Sequence, residues 1–241
     1  MICSHLLRGG LLCTLLVHLA GFAMAGAIQV QSLEAFLHYG SPSTFQVYFD
    51  PSWQGFEATE GPEHLEQFRF AWTNDTGATL TNLSWIFFID PDIARDENSF
   101  FNEYGEFISA SLPVLAPPDA IAFSSWEIDE PEYVFGDIYT HAYEGWLDNF
   151  NGVPSTAPDD VSLALLFTVP LLESGQTMWL YGTLSRTDAA GLAHFDPDTA
   201  DVLYLNGYVV VEPLSEAGTI PEPWSASLVG IGFLYLLVFR R

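Results

Sequence analysis

The chain has 241 residues, with 31 acidic residues set against six arginines and no lysine, for a formal net charge of -25. That balance excludes a nucleic-acid surface, because phosphate binding needs clustered Lys and Arg to release counterions. The missing lysine also removes Schiff-base and amine chemistry, while so acidic a surface stays solvated and attracts divalent cations.

Residues 1–25 carry the marks of a secretory signal peptide: Arg8 in a short basic region, an apolar stretch over 11–22, and a small-x-small cleavage site at Ala23-Met24-Ala25. The expected product is an exported protein. Both cysteines, Cys3 and Cys13, fall inside this segment, so the mature chain is expected to have neither disulfides nor thiol chemistry. Leu11 and Leu12 precede Cys13, which argues against lipidation.

From 26 to 219 the pattern is β. The segment 32–39, "SLEAFLHY", is the one reasonable helical candidate, and 45–49 reads as a strand. In "EQFRFAWTNDTGATLTNLSWIFFID" the residues Phe68, Phe70 and Trp72 alternate, a polar break follows at 74–77, and alternation resumes through Leu80, Leu83, Trp85 and Phe87. This predicts a hairpin with a short polar loop. A strand is expected over 121–128, followed by a long irregular excursion over 129–160. "DVSLALLFTVPLLESGQTMWLYGTLSRTD" repeats the hairpin scheme, with strands over 161–169 and 177–184 about a turn at Ser174-Gly175, and a last strand is predicted over 202–211. Seven to ten such strands predict an all-β fold: one antiparallel β-sandwich ectodomain, in which each sheet buries its apolar face against the other.

The chain ends "TIPEPWSASLVGIGFLYLLVFRR". Residues 224–239 carry no charge, and as a helix they would span roughly 24 Å, a little under the roughly 30 Å of a bilayer core. The expected element is a single transmembrane helix with Arg240 and Arg241 on the cytoplasmic side, an orientation that agrees with the N-terminal signal. Pro221-Glu222-Pro223, the apolar segment directly after it and the terminal Arg240-Arg241 resemble the PEP-CTERM sorting signal of exported bacterial proteins. The resemblance covers about 22 residues and departs from the family in Trp224, where a small residue is commoner, and in a basic cluster of only two. It implies recognition by an exosortase-type membrane enzyme that cuts near Pro-Glu-Pro, in bacteria that make exopolysaccharide. The two prolines keep this stretch extended and accessible, as a cutting enzyme needs. The body also resembles, more loosely, the ectodomains that accompany such signals.

Two acidic turns stand out, "DPDIARDEN" with Asp90, Asp92 and Asp96, and "DPDTADV" with Asp196, Asp198 and Asp201. Clustered carboxylates offer calcium the oxygens it requires, although neither stretch has EF-hand spacing, and an Asp-Pro turn closed by its own Asx hydrogen bonds is the plainer reading. Asp159-Asp160 and the acids of 127–130 are expected from composition alone. Trp126 and Trp146 lie in or near the irregular segments and are candidate platforms for stacking on sugar rings. His38, His64, His141 and His194 are expected to be surface or packing residues. The motifs of serine hydrolases and zinc proteases are absent, and no pair of carboxylates stands out as glycosidase-like. Two glycosylation sequons begin at Asn74 and Asn82.

The resulting expectation is an exported, non-enzymatic surface or matrix protein with a structural or adhesive role in an exopolysaccharide layer. It would first be tethered to the inner membrane through its C-terminal helix, then released to the cell surface. A calcium-dependent carbohydrate-binding module is the alternative, and a polysaccharide hydrolase the third reading.

Overall fold

A computed structural model describes residues 28–39, 44–48, 56–58, 64–94, 99–131 and 135–214. The signal peptide with Ala23 and Ala25, the tail with Pro221, Glu222, Pro223, Arg240 and Arg241, and Asp96 lie outside these residues. Among the described residues no helix is long and apolar enough to cross a membrane.

The described residues are mostly β, as the alternation predicts, and form two antiparallel sheets and one short α-helix. The larger sheet runs β2 (Thr44–Tyr48), β1 (Ile28–Tyr39), β5 (Leu80–Ile93), β8 (Ser162–Leu172) and β7 (Ser125–Asp129), with β3 (Phe56–Ala58) also paired to β1. The smaller runs β4 (His64–Thr73), β9 (Thr177–Ser185), β11 (Asp201–Val211), β10 (Gly191–Asp196) and β6 (Tyr104–Ser109). One core joins them, drawing Leu83, Trp85 and Phe87 from β5 and Leu163, Leu165 and Phe167 from β8. Opposite these stand Phe70 and Trp72 from β4, Leu180 and Leu184 from β9, and Leu203 and Leu205 from β11.

The larger sheet is buried on its other face as well. Ile138 and Ala142 of the helix α1 (Ile138–Glu144), with Leu147 just beyond it, cover Phe36, Ile86, Phe88, Ala164 and Leu166. Successive strand residues point to opposite faces, so β5 and β8 must be apolar at nearly every position, hence "WIFFI" and "LALLF". The same double burial overturns the helical expectation for 32–39. That segment is strand, with Ala35 and Leu37 turned into the core between the sheets and Phe36 turned toward α1. Its apolar spacing looks helical only because two different surfaces cover the two faces.

Both expected hairpins are corrected. β4 pairs with β9 and β5 pairs with β8, so the polar break at 74–77 and the turn at Ser174-Gly175 each carry the chain from one sheet to the other. The two corners lie side by side and bond to each other: Asn74 N–H donates to the Gln176 carbonyl at 2.9 Å, and Gly175 N–H to the Asn74 carbonyl at 2.7 Å. The Asn74 side chain, fully buried, donates to the carbonyls of Ala78 and Leu172 and accepts from Thr76. A residue so engaged is closed to glycosylation. β10 and β11 do form a hairpin, across the 197–200 turn.

Candidate functional site

The expected acidic turns have different fates. Asp90 and Asp92 stand at the end of β5, beside the start of β1, the end of β7 and the residues leading into β8. Where these strand ends converge there is a cavity of about 390 Å³, lined by Gln31, Asp90, Asp92, Glu130, Asp159 and Asp160 together with Phe100, Phe101, Pro131 and Phe135. Three of the five carboxylates in this wall, Glu130, Asp159 and Asp160, come from places where the sequence offers no signal above composition. The phenylalanines were not singled out at all, although the rings of Phe101 and Phe135 are 61% and 76% exposed, where an apolar side chain gains nothing from the fold.

Beside Asp92 and Asp160 lies a buried histidine–glutamate pair. His194 of β10 meets Glu103 at 2.6 Å, both side chains fully buried, and the other Glu103 oxygen accepts from Ile93 N–H at 3.2 Å. One oxygen each from Asp92, Glu103 and Asp160 lies within 4.8 Å of the other two. Burial, followed by the neighbouring charges of Asp92 and Glu103, pushes the Asp160 carboxyl up to about 6. Glu103 is raised mainly by burial, against the pull of His194, and Glu130 is also raised, by desolvation and then by Asp159 and Asp129. The two arginines among the described residues are placed elsewhere: Arg69 over the Trp179 ring and Arg186 on Asp201. Protonation of Asp160, or a cation beside it, would relieve the repulsion among Asp92, Glu103 and Asp160.

The second acidic turn is self-contained. Asp196 is buried, and its oxygens accept from Asp198 N–H at 2.8 Å and the Thr199 hydroxyl at 2.7 Å, while Asp201 pairs with Arg186 at 3.0 Å. These are the Asx bonds of an ordinary turn. None of Asp196, Asp198 and Asp201 lines the cavity.

The two tryptophans do not share a surface. Trp126 packs against the core between the sheets and stacks on Phe107 at 4.8 Å. Its neighbour Glu127 points the other way, to His141 on α1, and Trp146 covers that histidine at 3.6 Å. Together they cannot form one sugar platform. His38, His141 and His194 are all buried and hydrogen-bonded.

A second polar cluster surrounds His141. Its Nδ1 bonds to both oxygens of Glu127, at 2.8 and 3.0 Å, and its Nε2 lies 3.4 Å from an Asp137 oxygen. Burial raises Glu127 to about 7, although His141 opposes the shift. Asp129 is raised by burial as well, and accepts from Asp137 N–H at 2.9 Å. No family model, curated protein or solved structure matches the chain.

Proposed function

We propose that the protein is an exported β-sandwich of the cell surface or matrix that binds carbohydrate of a surface polysaccharide in the acidic, aromatic-rimmed cavity, with calcium as its counter-ion. The observation that carries this reading is the pairing, in one concave site, of five carboxylates with two exposed phenylalanine rings. Carboxylates accept from sugar hydroxyls, exposed rings cover the apolar faces of sugars, and a hard cation bound by Asp90, Asp92 and Asp160 would offset their repulsion. A cavity of this size accommodates one or two sugar units, which suits an adhesive role better than a processive one.

Delivery would follow from the C-terminal segment. Pro221-Glu222-Pro223, the apolar helix over 224–239 and Arg240-Arg241 would tether the chain until an exosortase-type enzyme released it. Mass spectrometry of the surface form tests this: a mature terminus near Pro223 is expected, and an intact Arg241 in the inner membrane would sink it. The binding reading is tested on a polysaccharide array with and without calcium. Calcium-dependent retention that is lost in Phe135→Ala and Asp160→Asn supports it, whereas retention unchanged in both variants refutes it.

One observation favours a second reading. Asp160, held protonated to about pH 6 beside Asp92, has the character of a general acid next to a carboxylate partner. Release of reducing sugar by wild type but not by Asp160→Asn would make the protein a hydrolase.

A further inference from the structure

We propose that Asp137 and His141 form the centre of a second metal site, for a divalent transition-metal cation of the zinc class, on the face of the larger sheet that α1 covers. The two residues sit one helical turn apart, and His141 Nε2 is 3.4 Å from Asp137 Oδ2. A charge-assisted hydrogen bond would close to about 2.7–2.9 Å. Two ligands bound to one cation at about 2.0–2.2 Å with tetrahedral geometry stand about 3.4 Å apart. The observed separation is that of co-ligands.

The other ring nitrogen supports the same assignment. Metal-binding histidines donate their second N–H to a carboxylate, which fixes the tautomer and the direction of the ring. His141 Nδ1 does this to Glu127, whose buried carboxylate is held in turn by Asp148 N–H at 3.3 Å. His141 Nε2 is thereby aimed toward Asp137, which is 64% exposed at its side chain and makes no capping bond to its own helix. Further oxygens are at hand. Asp129 brings a carboxylate oxygen within 4.8 Å of one from Asp137, and water would complete the shell. Neither Arg69 nor Arg186 reaches this cluster, so no described guanidinium neutralises it. A nitrogen donor in the set selects zinc, copper or nickel over calcium, which favours oxygen alone. The site is thus chemically distinct from the cavity at the strand ends.

The full-length secreted protein, stripped with EDTA, is titrated with zinc chloride by calorimetry and with nickel chloride by fluorescence. Trp146 lies on the His141 ring and reports occupancy by quenching. Saturable one-site zinc binding is expected, undiminished by millimolar calcium. Asp137→Asn, at an exposed position that leaves the melting curve unchanged, weakens binding at least tenfold, and Glu127→Gln weakens it by about 10- to 100-fold. Asp160→Asn leaves it intact, and Trp146→Phe abolishes the nickel quench while the zinc isotherm persists. Absence of saturable zinc binding, or binding indifferent to Asp137→Asn, overturns the assignment. Loss of zinc binding in Asp160→Asn instead would place the metal in the cavity and overturn it equally.

Discussion

Asp160→Asn should make the protein more stable at pH 8 and change its stability much less at pH 4.5. Asp160 Oδ1 is buried without a hydrogen-bond partner, and the carboxyl titrates at about 6 because burial and the charges of Asp92 and Glu103 disfavour its ionised form. An acid whose folded pKa is raised contributes stability that is complete below its unfolded value, near 3.8, and is lost as pH rises through 6. The gap of about two pH units corresponds to about 3 kcal/mol at most. Asp160 is only partly withdrawn from solvent, and screening reduces this to about 1–2 kcal/mol. Asparagine keeps the shape, removes the charge and adds donors facing two carboxylates. Urea unfolding in EDTA at pH 4.5 and pH 8 measures the effect: wild type should weaken over this interval, and the variant should weaken less by about 1–2 kcal/mol. Added calcium should restore wild type at pH 8 and do little for the variant. If Asp160→Asn is less stable than wild type at pH 8, or has the same pH slope, the electrostatic account of the cavity is wrong.

Other perturbations follow from the same structure. Glu103, Glu127, Asp129, Glu130 and Asp160 are all raised. The metal-free protein should therefore melt at a higher temperature near pH 5 than near pH 8, by calorimetry. Glu103→Ala or His194→Ala leaves one buried partner uncompensated and should cost about 3–5 kcal/mol in denaturant unfolding. Asn74→Ala deletes bonds that lock both corners, and a loss of about 2–4 kcal/mol is expected from about 1 kcal/mol per bond. Gly191→Ala combines a backbone φ of +80° with a methyl driven into the Leu205 carbonyl oxygen, and soluble expression should fall sharply.

How legible the site was depended on the kind of signal. The β character was open to reading because alternation is local: Phe68, Phe70 and Trp72 mark one face of a strand whatever that strand pairs with. Partner choice is not local. Asn74-Asp75-Thr76-Gly77 has the residues of a hairpin loop, and nothing within it says that β4 will bond to β9, more than a hundred residues along the chain. The segment 32–39 misled for a related reason, since a strand covered on both faces loses its alternation and keeps an apolar spacing that a helix would also show.

The candidate site divides the same way. Asp90 and Asp92 could be chosen as neighbours in an acidic turn, but so could Asp196, Asp198 and Asp201, and only hydrogen bonding separates a cavity wall from a turn that satisfies itself. In a chain with 31 acidic residues, Asp159, Asp160 and Glu130 carry no individual signal. They acquire one when antiparallel pairing brings the end of β5, the end of β7 and the start of β8 together.

By itself, then, the sequence determined the acidity, the absence of lysine and of cysteine beyond residue 13, the β composition of the body and the order of the three features at its C-terminus. These are properties of residues and their near neighbours. The tertiary structure alone decided which carboxylates share a cavity, which histidines meet them and which face each aromatic ring occupies. Charge repulsion and burial act through distances in space, and strand pairing between remote segments sets those distances.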